Sequence, residues 1–240
     1  MTDLDRRLVA LYDDDNPDGP DHDFYRALAD ESGARSVIDL GCGTGILTVT
    51  LAEPDRRVVG IDPSATMLDH ARGRPGAAAV TWVHGDSRQL PETSVDLAVM
   101  TGNVAQHIGD EDWARTLLDL RGALRHGGTL AFESRNPAAE AWLGWTSTER
   151  TTRGTAHGPL EEWSEAEEVA PGVVRLVASN RFTDTGETIV ETVTLHFRTR
   201  SELERQLHAA GFAVTAVFGD WQRGPVVDSS AVLVVTAVAR

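Results

Sequence analysis

Val37-Ile38-Asp39-Leu40-Gly41-Cys42-Gly43-Thr44-Gly45-Ile46-Leu47-Thr48 decides how the chain is read. Its first four residues suit a short buried parallel strand, interrupted only by Asp39. Glycines follow at three alternate positions, and residues 44 to about 53 are predicted helical. Strand, glycine turn and helix together bring backbone N–H groups and the positive end of a helix up to a ligand. Glycine suits the turn because a Cβ would obstruct either the turn or the ligand. The spacing is G-x-G-x-G, with a carboxylate two residues before the first glycine. A dinucleotide fingerprint, G-x-G-x-x-G, would need its third glycine where Ile46 stands.

Working outward, strands and helices alternate. Residues 57–62, 80–84, 95–100 and 129–133 read as further apolar strands. A helix opens at Pro63-Ser64, and another runs from Asp110 or Asp112 through Trp113, Leu117, Leu120 and Leu124 until His126-Gly127-Gly128 ends it. Five such alternations predict a doubly wound α/β sheet. Residues 3–19 are acidic and turn-rich and read as a solvated arm, followed by a helix capped by Asp21 or Asp23. Residues 1–34 are therefore expected as an N-terminal arm and helix, and 35–240 as the main domain.

After residue 134 the alternation breaks. A short helix is predicted over 138–145, then three strand-like segments at 158–168, 173–182 and 187–197, divided by Pro171-Gly172 and Asp184-Thr185-Gly186. These make an antiparallel insert at about 146–199. A helix over 201–210 and two strands, 212–218 and 231–238, complete the chain.

The formal net charge is 22 − 37 = −15, and all 22 basic residues are arginine. So acidic a surface repels phosphate backbones and anionic membranes, which argues against nucleic-acid and membrane partners. A single cysteine, Cys42, forbids an intramolecular disulfide and fits a reducing cytoplasm. No apolar run approaches the ~20 residues that span a bilayer, and Met1 to Arg7 lacks the basic-then-apolar order of a signal peptide. The eight histidines have no ligand spacing, so no metal site is expected.

Asp62 follows Gly41 by 21 residues, close to the spacing of about 20 at which a carboxylate meets ribose hydroxyls. His107 lies shortly after the fourth strand. It reads either as a general base, with an unperturbed pKa of ~6.5, or as a histidine bonded at a helix start. Met67 reads either as an adenine contact or as core. Trp142, Trp145, Trp163 and Trp221 read either as an apolar acceptor pocket, as the core of the insert, or as an oligomer surface.

Asp39-Leu40-Gly41-Cys42-Gly43-Thr44-Gly45 resembles motif I of the class I S-adenosylmethionine-dependent methyltransferases, D/E-x-G-x-G-x-G. The resemblance covers about residues 36–134 by motif and the remainder by topology. It implies a Rossmann-like, seven-stranded, mostly parallel sheet with helices on both faces and a terminal β-hairpin. It implies S-adenosylmethionine as cofactor and methyl transfer to an O or N atom of a small organic acceptor. Motif I (Asp39, Gly41, Cys42, Gly43, Thr44, Gly45) would lie under the donor, with Asp62 and Pro63 at its ribose and Asp86 and Ser87 at its adenine. Thr101-Gly102 would face the sulfonium end, and Tyr12, Tyr25, Asn103, Asn136 and Trp145 the acceptor; core packing is the other reading of Tyr25. Residues 124–130, Leu-Arg-His-Gly-Gly-Thr-Leu, resemble the family's L-K-P-G-G signature with histidine for proline. The family's nucleobase-N6 enzymes carry [N/D]-P-P-[Y/F] after strand four, where this chain has Thr101-Gly102-Asn103. A homodimer through the insert stays open, as does a non-catalytic cofactor-binding sensor or assembly protein of the same fold. A nicotinamide-dependent dehydrogenase shares the strand logic and fails on the glycine spacing.

Overall fold

The computed structural model describes residues 3–90 and 94–240, so Met1 and Thr2 of the N-terminal heptapeptide lie outside the described residues. Five parallel strands form the centre: β1 (Ser36–Leu40), β2 (Arg57–Asp62), β3 (Val80–His84), β4 (Val95–Met100) and β5 (Leu124–Arg135). A hairpin of β10 (Phe212–Phe218) and β11 (Val232–Ala239) closes the sheet, with β11 pairing antiparallel to β5. The seven-stranded order is β10-β11-β5-β4-β1-β2-β3. From β1 the chain steps outward to β3, then returns to β4 on the other side of β1. That reversal opens a crevice at the carboxyl ends of β1 and β4, where open α/β sheets bind ligands.

Alternation along the strands serves both faces. Ile38, Ala98, Leu130 and Phe132 face α6 (Asp110–Ala123) and α7 (Arg200–Ala209), where Trp113 stands edge-on to Phe132 at 5.5 Å. Val37, Leu97, Val99 and Ala131 face α2 (Pro20–Glu31) and α3 (Thr48–Leu51). Local signals start these helices. Pro20 opens α2, three acids fill the first turn of α6, and Thr199 and Glu202 make a reciprocal capping box on α7.

A second sheet is wholly antiparallel, in the order β6 (Thr151–Thr155), β7 (Gly158–Ala170), β8 (Val173–Phe182), β9 (Glu187–His196). It has four strands where the sequence suggested three, because Thr-Thr-Arg-Gly-Thr has no apolar alternation and is held by pairing to β7. Two apolar clusters seat it. Val174 and Leu195 pack on Trp142 and Phe197, and Leu160 and Phe182 pack on Leu11.

Four local expectations are revised. The acidic arm contains a helix, α1 (Arg6–Asp15), capped by Asp5, whose side chain accepts from the Arg7 amide. The helix after the glycine turn is a single turn, α3, because left-handed glycines hold residues 41–45 out of helical geometry. Residues 137–144 form two 3₁₀ turns rather than an α-helix. α6 ends at Ala123, and β5 absorbs the glycine pair, with Gly127 at φ +76°.

Candidate active site

β1 delivers the glycine turn to the crevice, and its three glycines differ in what surrounds them. All have left-handed φ, at +79°, +53° and +74° for Gly41, Gly43 and Gly45. A Cβ on Gly41 would stand 2.4 Å from the Val104 side chain, and one on Gly45 would stand 2.5 Å from the Trp82 ring. A Cβ on Gly43 would meet nothing within 4 Å. Gly41 and Gly45 are thus required by packing, and Gly43 opens onto free space. The amides of Gly41 and Cys42 both donate to the Ile61 carbonyl, which ties the turn to the end of β2.

Asp62 ends β2 and is buried. It accepts from the Gly43 amide and the Ser64 amide, each at 2.8 Å. Burial raises its pKa, and those two amides work against the shift. A carboxylate offers about four acceptor positions, so sites for a vicinal diol remain. Pro63 is exposed, and its carbonyl contacts His84 Nε2 at 3.0 Å. Asp39 lies behind the turn. One oxygen accepts from Thr48 Oγ1 at 2.6 Å, the other is buried without a partner, and burial raises its pKa to about 6.

After β3, Asp86 is held by Arg88, whose guanidinium and amide lower its pKa. Arg88 is well exposed, and such a solvent-screened surface pair is weak, so it yields readily to a ligand. The Ser87 hydroxyl points away from the crevice and donates to Asp119 on α6 at 2.6 Å. Its backbone N–H, at the first position of a 3₁₀ turn, has no partner within that turn.

Beyond β4, Gly102 (φ +68°) and Asn103 (φ +61°) are both left-handed. The Asn103 amide donates to Glu133 Oε1 at 2.5 Å, and its side-chain oxygen is buried without a partner. Glu133, near the end of β5, also takes the hydroxyl of Tyr25. Burial raises Glu133 to about 7. Tyr25 is fully buried against Phe24 and Trp221; of its two sequence readings, acceptor contact or core packing, the structure shows the core one, with the hydroxyl reaching the end of β5. Asn136 is likewise not presented to a ligand. Its side chain caps the turn after β5 and donates to the carbonyls of Val227 and Asp228. Trp145 packs on Phe197 and under Arg135.

The N-terminal helix covers the crevice. Asp13 of α1 accepts from Thr44 Oγ1 at 2.6 Å and pairs with Arg74, which also donates to the Thr44 carbonyl. Asp3 accepts from Ser64 and from Thr66 at the start of α4 (Ala65–Arg72), and the Ser64 hydroxyl chiefly lowers its pKa to about 2. Tyr12 faces inward, with its pKa raised by burial and then by Asp62. Tyr12 and Met67 line a cavity of about 180 Å³ between α1 and the second sheet, beside Glu162, Asn180 and Glu191.

His107 ends α5 (Val104–His107). The residue is exposed by surface area, while the protein atoms around its ring and then Arg135 lower its pKa. Cys42 is buried and its thiol is pushed well above the ordinary range, so it is inert as a nucleophile. Among the described residues no cluster of His, Cys, Asp or Glu is arranged to hold a metal ion. No helix among the described residues is long and apolar enough to cross a membrane. Asp13, Glu133, Gln106 and Arg135 join the site only in three dimensions.

A family profile described as "Methyltransferase domain" matches residues 37–128. An uncharacterized methyltransferase of Mycobacterium tuberculosis is 37% identical over 112 residues, covering 45% of this chain and 55% of that one. The chain thus spans about half the length of that relative. A glycine/sarcosine N-methyltransferase of Parasynechococcus marenigrum is 29% identical, over 84% of this chain and 71% of its own. Among solved structures, the CcbJ methyltransferase of Streptomyces caelestis superposes with a TM-score of 0.78 at 22% identity, covering 99% of this chain and all of that one. The sugar N-methyltransferase KedS8 of a Streptoalloteichus species gives 0.77 at 20% identity, covering 100% of this chain and 95% of its own.

Proposed function

We propose that this chain, which has the fold of the class I S-adenosylmethionine-dependent methyltransferases and carries their methyltransferase domain at residues 37–128, transfers a methyl group from S-adenosylmethionine to an O or N atom of a small organic acceptor. The observation that carries the reading is Gly43. It is left-handed, open on its ligand side, and has its amide on the carboxylate that ends β2. The wall around it fits the donor. Asp39 and Asp62 are buried carboxylates near the ends of the neighbouring strands β1 and β2, and their field favours the donor's sulfonium and ammonium charges. Asp62 has acceptor sites left for the ribose diol, and the Ser87 amide and Asp86 suit an adenine ring nitrogen and amine.

When bound, the donor supplies an activated methyl group with its own leaving group. What remains for this chain is to hold the acceptor in line, an effect of proximity and orientation. The left-handed pair Gly102-Asn103, fixed by Glu133, shapes the floor where donor and acceptor meet. Tyr12 and α1 close the roof and exclude water. His107, depressed in pKa and reachable from solvent, is suited to take a proton from a hydroxyl or ammonium acceptor at neutral pH. The charge of −15 supports an acceptor that is neither a nucleic acid nor a membrane surface, and the lone cysteine supports a cytoplasmic setting.

Calorimetric titration with S-adenosylmethionine, S-adenosylhomocysteine and NAD tests the donor half. Binding of both sulfur ligands but not NAD is expected, and failure of both would reject the reading. Labelled-methyl transfer over candidate metabolites then separates an enzyme from a binding protein of the same fold.

A further inference from the structure

Arg135 is a half-buried cation without an anion. It ends β5, its NH1 and backbone N both donate to Gln106 Oε1 at 3.2 and 3.3 Å, and its guanidinium lies 5.1 Å from the Trp145 ring. Among the described residues it enters no ion pair, and the nearby Glu133 has one oxygen on Tyr25 and the other on Asn103. Gln106 is fully buried, yet its Nε2, on the same amide as the oxygen that grips Arg135, has no acceptor. Two neighbouring groups therefore carry donors that nothing in the chain satisfies. A buried donor left unmade is costly, and a guanidinium held by its edge and face is pre-organised for the planar fork of a carboxylate.

The sheet order says whose carboxylate it is. Adenine, ribose and methionyl contacts are proposed at the ends of β3, β2 and β1 in turn, which carries the donor's reactive end toward β4. Arg135 lies one strand further, at β5, beyond the end to which the donor's methyl group would be directed. We infer that Arg135, propped by Gln106 and stacked on Trp145, seats a carboxylate of the methyl acceptor. The inference rests on the methyltransferase reading for the identity of its ligand, since the donor also bears a carboxylate that the same fork would accept.

The probe is acetate, with acetamide as the uncharged control, added to protein labelled with [¹⁵N]arginine and saturated with S-adenosylhomocysteine. Acetate at up to about 0.1 M, a range suited to a single weak ionic contact, should shift the Arg135 Nε–H resonance saturably. Acetamide should leave it in place, and exposed Arg200 should move little. Arg135→Gln identifies the resonance by its loss. Arg135→Lys keeps the charge without the fork, should melt like wild type, and should bind acetate at least about threefold more weakly. A resonance that follows acetate no more than Arg200 does overturns the seat. The source is separated by calorimetry: Arg135→Gln should bind S-adenosylhomocysteine within about twofold of wild type. A loss of about tenfold or more, with 5′-methylthioadenosine unaffected, assigns the seat to the donor and overturns the acceptor assignment. If wild type binds no S-adenosylhomocysteine, the methyltransferase reading fails by itself, and the acetate titration of the free protein still reports on Arg135.

Discussion

Replacing Gly43 and Gly45 by alanine, one at a time, separates a ligand-facing glycine from a packing one. Both positions are left-handed, so each alanine carries a backbone cost of about 1–2 kcal/mol. At Gly43 that is the whole structural cost, because the new methyl meets nothing within 4 Å. For a domain of this size about 2–4 °C of melting temperature goes with each kcal/mol, so Gly43→Ala should melt roughly 2–8 °C lower. At Gly45 the methyl would stand 2.5 Å from Trp82 and 3.1 Å from the Ala71 Cβ. Overpacking adds about 1–3 kcal/mol there, giving about 2–5 kcal/mol in all. S-adenosylhomocysteine affinity should rank them in the opposite order. The Gly43 methyl occupies the space proposed for the donor and should weaken binding more than about tenfold, or about 1.4 kcal/mol. Calorimetry and thermal melts on the two variants decide the matter. Donor-analogue affinity in Gly43→Ala within about twofold of wild type would refute the proposed location of the donor.

Asp62→Asn leaves one acceptor oxygen to face two converging amides. It should lose about 1.5–3 kcal/mol of S-adenosylhomocysteine affinity, read by calorimetry. Glu133 is raised from 4.5 to about 7 by burial, so the native state holds a proton that the unfolded state has released. Its contribution is fully present below pH ~4.5 and is lost as pH rises through ~7, on the order of 3 kcal/mol. Urea midpoints at pH 5 and pH 8 should therefore differ less in Glu133→Gln than in wild type; an unchanged difference would discard the assignment. Asp13→Asn should loosen α1 from Thr44 and Arg74, which faster amide exchange over residues 6–15 would reveal while the exchange of β1 stays unchanged. His107→Gln should lower turnover by about 10²-fold if the histidine takes the proton, with donor binding intact. Equal turnover would remove it from the chemistry.

The central strands and the glycine turn were legible because their signals are local. Short apolar runs, glycine spacing and a carboxylate at a fixed distance need no knowledge of what lies opposite. The roles of the glycines were not legible, since Val104 and Trp82, which make Gly41 and Gly45 obligatory, are distant in the chain. The same reason hid Asp13. An acidic run at the N-terminus reads as solvated until its partners, 31 and 61 residues away, are seen to anchor a helix. Tyr25 and Asn136 carry side chains suited to a site, yet tertiary contacts 108 and about 90 residues away spend them on Glu133 and on the loop before β11. The Ser87 hydroxyl is taken by Asp119, 32 residues further along the chain on α6, a partner that no local signal reveals.

The covering helix has a thermodynamic consequence. Asp3 holds the first turn of α4 and Asp13 holds the glycine turn, so residues 3–15 are fastened at both ends to elements proposed to contact the donor. Closing the helix and filling the donor cleft are therefore coupled, and the coupling is reciprocal: whatever tightens α1 tightens the donor by the same factor. On the proposed reading, exchange of spent donor for fresh would wait for those two carboxylates to let go, and substitutions at Asp3 and Asp13 would shorten the residence time of the product.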